Sequence, residues 1–287
     1  MSFEPRKIEQ PSTYIVQDRE NQHELVRLTL QDQLLTASMG GVLAEQSDPA
    51  ALRHVLDIGC GTGGWAIETA LAYPEIELVA GIDISQRMIA YAREEAEGQQ
   101  LGLRVEFHIM DALRMLEFPN RFFDLVNMRL GGSWLRTWEW PKLLSEIFRI
   151  LRPDGIVRIT EQEIMHQSSS DAGTRINRMV LSAFYRSGHL FTEESTGLTA
   201  KLPELVTQHG FSQIQTEAHA LEYHAGTPEG KDYADNLISA SHTLRPFLQK
   251  WGTISEDYDE LCQQLVTEES GADFHSTWNF QTVWGVK

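Results

Sequence analysis

Cysteine is almost missing from this chain. Its 287 residues include two, Cys60 and Cys262. Neither their number nor their separation makes a disulfide framework or a metal-ligand spacing, so no metal site is expected. No run approaches the ~18 consecutive apolar residues that a membrane span requires. The opening stretch Met1-Ser2-Phe3-Glu4-Pro5-Arg6-Lys7 lacks the apolar region of a secretory signal. Basic residues are scarce beside acidic ones, 24 against 41, for a net charge of −17. Nucleic-acid backbones and anionic membranes both attract a net basic face, so neither is the expected main partner. Hydrophobic residues make up 41% of the chain, which is enough for a sizeable core. The expectation is a cytoplasmic globular protein of one large or two small domains.

Between His54 and Glu161 apolar runs alternate with amphipathic ones, as in βαβ units with a parallel sheet. Strands are expected at His54–Ile58, Glu77–Asp83, Val105–Met110, Asp124–Met128 and Ile156–Thr160. Helices are expected at Trp65–Tyr73, after Ser85 as N-cap, and at Lys142–Leu151. Upstream, Glu20–Met39 has the spacing of a helix. Downstream, Thr174–Tyr185 and Leu198–His209 read as helices, and Phe211–Tyr223 and Ser276–Val286 as a sixth and a seventh strand. A helical insert with nine acids and three bases, Glu229–Ser270, lies between those strands. Its charge suits a solvated outer face. The fold class is therefore α/β, a doubly wound, seven-stranded, mostly parallel sheet with an N-terminal helix and a helical insert as lid.

The informative stretch is Asp57-Ile58-Gly59-Cys60-Gly61-Thr62-Gly63-Gly64. Glycines between a strand and a helix let backbone N–H groups approach a ligand closely. Gly59, Gly61 and Gly64 also satisfy G-x-G-x-x-G, and Asp83 follows 19 residues later, where a carboxylate grips ribose hydroxyls. Those features alone suit a nicotinamide-dependent oxidoreductase equally well. Asp57 argues against it, because a carboxylate at the end of the first strand repels a pyrophosphate and holds an ammonium group. Asp111 ends the third strand, where it would accept a hydrogen bond from an exocyclic amine such as that of adenine. Carboxylate-lined surroundings suit a sulfonium better than a diphosphate.

At these residues the chain resembles the class I S-adenosylmethionine-dependent methyltransferases of small-molecule type. Asp57–Gly63 resembles their nucleotide-binding loop, Gly81-Ile82-Asp83-Ile84-Ser85 their acidic ribose motif, and Met110-Asp111-Ala112 their adenine motif. Leu151-Arg152-Pro153-Asp154-Gly155 resembles the turn before their fifth strand. The likeness spans roughly residues 53–161, with its parts in the family's order. It implies that S-adenosylmethionine is the cofactor, with Gly59 and Gly61 against its methionine and ribose and Asp57 in the network around the methionine end. Asp83 would hold both ribose hydroxyls, Ile84 and Met88 would pack on the adenine, and Asp111 and the Ala112 N–H would meet the adenine edge. The Asn127 carbonyl would face the ammonium, and Tyr14 would close over the cofactor. Residues 1–52 would be an N-terminal helical cap and 53–287 the methyltransferase domain, with 162–200 and 229–270 as helical lid or substrate elements.

Methyl transfer from a sulfonium is an in-line displacement that needs alignment and exclusion of water more than a strong base. The acceptor would lie beyond the carboxyl ends of the strands. Arg129, Trp134 and Glu161 are the expected substrate contacts, and His166 is the best-placed histidine for a general base. The expected partner is a small, partly apolar methyl acceptor, methylated at O, N or C. A protein that binds the sulfonium compound without transferring methyl is the other alternative.

Overall fold

The computed structural model describes Tyr14, Ile15 and residues 22–287. The N-terminal stretch Met1–Lys7 and the expected helix start at Glu20 lie outside them.

Five strands form the parallel part of the sheet: β1 (His54–Ile58), β2 (Leu78–Asp83), β3 (Val105–Ile109), β4 (Phe123–Arg129) and β5 (Leu151–Gln162). Nearly every residue of β1 and β4 is buried. That follows from helices on both faces of a parallel sheet. Val55, Val79, Val105 and Leu125 pack beneath α2 (Gly64–Ala72) and α3 (Gln86–Gly98). Their neighbours Leu56, Ala80, Val126 and Met128 point the other way, to α4 (Trp140–Ile150). A side-chain period of two sorts each strand between the layers. Ser85 caps α3 as expected, accepting from the Met88 N–H at 3.3 Å. Ser85→Ala is expected to cost about 1 kcal/mol of stability, read as a lowered urea midpoint at unchanged slope.

The remaining strands are β6 (Gln167–Ser168), β7 (Ser212–His224) and β8 (His275–Val286). The order is β3-β2-β1-β4-β5-β8, with β7 on the outer edge of β8 and both added antiparallel. Six of the seven expected strands agree within two residues at each end; the fifth extends further. The two-residue β6, which pairs with β8 beyond the end of β5, makes an eighth strand. Two residues are too few for a periodic pattern, and β6 exists only because β8 outruns its neighbour. The insert folds as α7 (Pro228–Thr243), α8 (Arg245–Lys250) and α9 (Tyr258–Glu269). It packs against α1 (Gln22–Ser38) and α5 (Asp171–Arg186), while α6 (Leu202–Gln208) leads into β7.

The connection from β3 to β4 reverses the direction in which the sheet grows, leaving a crevice beyond the carboxyl ends of β1 and β4. The helices α1, α5 and α7 roof that crevice.

Candidate functional site

A cavity of about 380 Å³ occupies the crevice, within the range of small-molecule sites. Its floor is the loop after β1. Gly59 has a φ of +70°, and a β-carbon there would lie 3.2 Å from the indole nitrogen of Trp134. Gly63 has a φ of +80°, and its β-carbon would sit 2.6 Å from Phe107. Only glycine holds both positions without strain.

Asp83, at the end of β2, clasps this loop. Its carboxylate accepts from the Gly61 N–H at 3.1 Å and from the Ser85 N–H at 2.8 Å. Ile84 and the buried Met88 stand beside it on the cavity wall. Beyond β3, Asp111 accepts from the Leu113 N–H at 2.9 Å and pairs with Arg114 at 3.4 Å, and Ala112 lines the same wall. Tyr14, Gly59, Gly61 and Trp134 line the cavity as well, so the structure gathers nearly all of the expected cofactor residues.

Asp57 lies at the cavity's base, 4% exposed. Burial pushes its carboxyl up to about 7, against the hydrogen bond from Asn127 and the charge of Arg158, with Asp83 adding to the rise. Behind it runs a polar stripe across three strands. The Asn127 amide donates to Asp57 at 2.8 Å, Arg158 donates to the Asn127 oxygen at 2.7 Å, and Glu45 receives Arg158 at 2.6 and 3.2 Å. Register explains the alignment, since Asn127 faces Asp57 on β1 and Arg158 on β5.

Three expectations change. Asn127 does not line the cavity; it is fully buried in β4, and its side chain links Asp57 to Arg158. Glu161 does not line it either. The pleat sends Gln162 to the cavity, while Glu161 turns back to accept from the Gly132 N–H at 3.0 Å. Burial raises its carboxyl to about 8, opposed by hydrogen bonds from Gly132 and Gly131. Arg129 does reach the cavity, but it is ion-paired with Asp32 of α1 and donates to Thr36 at 3.1 Å, so a substrate carboxylate would have to displace Asp32.

His166 lines the cavity, with different chemistry from that of a base. It is buried, its Nδ1 sits 2.6 Å from the Tyr233 hydroxyl, and burial pushes its pKa down to about 3. A base suited to neutral pH has a pKa near that pH, so this imidazole is a poor proton acceptor. Gln31 and Arg27 of α1, Asn177 of α5, Asn236 and Thr243 of α7 and Glu139 before α4 also line the cavity and were not expected. Nothing in local periodicity marks polar residues on separate helices as neighbours. Arg158 was detectable, as a charge inside the apolar run Ile156–Ile159.

Among the described residues no cluster suited to a metal ion occurs, and no helix is long and apolar enough to cross a membrane. A glycine loop at the switch point, followed by acids at the ends of successive strands, is the arrangement of the class I methyltransferases. A family model described as a methyltransferase domain matches residues 55–155. The chain is 36% identical over 195 residues to a demethylmenaquinone methyltransferase of Lactiplantibacillus plantarum, covering 63% of this chain and 81% of that one. The chain belongs to the class I S-adenosylmethionine-dependent methyltransferases. It is also 37% identical over 110 residues to the demethylmenaquinone methyltransferase of Deinococcus radiodurans, a match spanning 38% of this chain and only 43% of that protein. Among solved structures, the YcgJ protein of Bacillus subtilis superposes with a TM-score of 0.52 at 16% identity, covering 92% of this chain and 98% of that one. That likeness concerns the fold alone.

Proposed function

We propose that this protein transfers the methyl group of S-adenosylmethionine to an uncharged, partly apolar small molecule. One observation carries the reading: a single cavity joins the acid-lined glycine loop to a mixed apolar and uncharged polar wall, with Arg27 of α1 at its edge against Asn236. β5, α5, α7 and the segment leading into α5 contribute Gln162, Ile164, His166, Asn177, Val180, Phe184, Asn236 and Leu237 to that wall. In this reading residues 162–200 and 229–270 shape the acceptor site, and α1 with Tyr14 covers the cofactor. Both arrangements serve a displacement that depends on alignment and dryness.

Asp57, Asp83 and Asp111 would hold the ammonium, ribose and adenine of the cofactor, with Gly59, Gly61, Ile84, Met88 and Ala112 against its body. The cofactor supplies an electrophilic methyl group on a sulfonium. The chain's own work is to fix its two ends, exclude water and present the acceptor in line. Calorimetric titration with S-adenosylhomocysteine, and separately with NADH, tests this. Binding of the first alone is expected; binding of NADH alone would replace the reading with hydride transfer.

The same titration has an expected pH dependence. An ionised Asp57 attracts the ammonium and a protonated one does not. Affinity for S-adenosylhomocysteine should therefore be full above about pH 7 and fall as pH drops through that value. The limiting slope is about tenfold per pH unit for one linked proton. Asp57→Asn should bind weakly with a flat profile, and an equally flat wild-type profile would remove Asp57 from the ammonium site.

A further inference from the structure

The imidazole of His166 sits in a hydrogen-bonded chain whose polarity can be worked out. Its Nδ1 lies 2.6 Å from the Tyr233 hydroxyl, which lies 2.8 Å from the Ser276 hydroxyl. All three side chains are buried. Tyr223 stacks on Tyr233 with centroids 4.3 Å apart and 11° between planes, and Trp278 covers His166 at 4.9 Å, so neither ring can swing away.

Two directions are open to the hydrogens. If His166 donated to Tyr233 and Tyr233 to Ser276, the serine hydrogen would be left buried without an acceptor, because Tyr233 is the one hydrogen-bond partner of Ser276 Oγ among the described residues. Leaving a buried donor unsatisfied is costly. If Ser276 donates to Tyr233 and Tyr233 to Nδ1, every hydrogen in the chain is used. The separation agrees, since 2.6 Å is short for N–H···O and suits a phenol as donor. Burial has already made the ring neutral, so the remaining proton belongs on Nε2. Nε2 has no partner among the described residues and is not sealed from the cavity that His166 lines.

We propose that His166 is a fixed hydrogen-bond donor to the methyl acceptor: its Nε2–H, set by the Ser276–Tyr233 relay, recognises an uncharged oxygen such as a ring carbonyl. Tyr233 is a positioning residue that selects the tautomer. The proposal rests on the methyl-transfer reading for the identity of the ligand, but the tautomer itself does not depend on it.

Nitrogen–proton NMR of the free protein, isotope-labelled at histidine, decides the first part. His166 is expected as the neutral Nε2–H tautomer from about pH 5 to about pH 8. Tyr233→Phe should bring in the Nδ1–H form. An Nδ1–H wild-type ring, or one that titrates in that range, overturns the proposal. The second part uses α-tetralone and tetralin, the same two rings with and without a carbonyl, added to protein saturated with S-adenosylhomocysteine. Wild type should prefer the ketone roughly three- to tenfold, the worth of one neutral hydrogen bond. His166→Phe should abolish that preference, read as the ratio of the two affinities, and His166→Gln, which keeps an N–H donor, should restore part of it. Equal affinity for the two rings, or binding of neither, overturns the donor role. Failure to bind S-adenosylhomocysteine would instead count against the methyl-transfer reading, with the NMR result standing apart from it.

Discussion

Arg158→Ala is expected to destabilise the protein by about 3–5 kcal/mol, the usual consequence of removing one partner from a buried ion pair. Arg158 is 2% exposed and supplies two hydrogen bonds to Glu45 and one to Asn127. Deleting it leaves the Asn127 oxygen buried without a donor and the Glu45 carboxylate with the Gln46 amide as its one side-chain donor, next to a void. Burial raises the pKa of Glu45, but the charge and hydrogen bonds of Arg158, with smaller help from the Gln46 amide and a backbone N–H, outweigh that and hold it below the ordinary carboxylate value. The sign follows: a depressed folded-state pKa gives stability that is present above the unfolded value and lost as pH falls through the folded one. The variant should therefore lose most stability at neutral pH and least in acid. Urea denaturation at both pH values checks this. Replacing the pair together, as Glu45→Leu with Arg158→Met, should recover much of the loss, because an apolar pair leaves no charge stranded. A loss below about 1 kcal/mol for Arg158→Ala would mean that water replaces the guanidinium and that the stripe does not bear on the core.

The second large effect concerns ligand binding. Asp83→Ala is expected to weaken S-adenosylhomocysteine binding by about 1.5–3 kcal/mol, roughly ten- to a hundredfold in Kd, through loss of a charge-assisted contact. The structure adds a second route to the same loss. The carboxylate accepts from the Gly61 and Ser85 N–H groups, tying the glycine loop to the end of β2, so its removal also frees the loop proposed to receive the ligand. Asp83→Asn separates the two, because its amide oxygen can still accept from the backbone while the charge is gone. An affinity near that of Asp83→Ala would assign the effect to charge, and one near wild type would assign it to loop order. Unchanged affinity in both variants would remove Asp83 from the site.

Much of this site was legible because its parts are local. A strand, a glycine turn and a helix follow one another within residues 54–72, and the acids Asp57, Asp83 and Asp111 each stand at or just past a strand end that can be read from apolar runs. The cap at Ser85 and the turn at Pro153-Asp154-Gly155 depend on residue types with their own backbone preferences. Glu161 shows where that legibility stops. It was expected just past the fifth strand, whereas β5 runs on through Gln162, so whether Glu161 or Gln162 meets the cavity depends on the phase of the pleat near the strand end. Arg129 shows a second limit, since its partner Asp32 lies 97 residues away on α1.

The sequence by itself determined the order of strands and helices, the glycine loop and the row of acids, since these arise from backbone freedom and hydrophobic period over short spans. The tertiary structure alone decided the rest. Cross-strand register lined up Asp57, Asn127 and Arg158, three residues on three strands, into one buried stripe closed by Glu45. The packing of α7 against β8 brought Tyr233 and Ser276 onto His166 and turned an expected base into a neutral imidazole. Desolvation and hydrogen-bond polarity belong to the assembled surroundings of a group, and those surroundings come from segments that no local pattern connects.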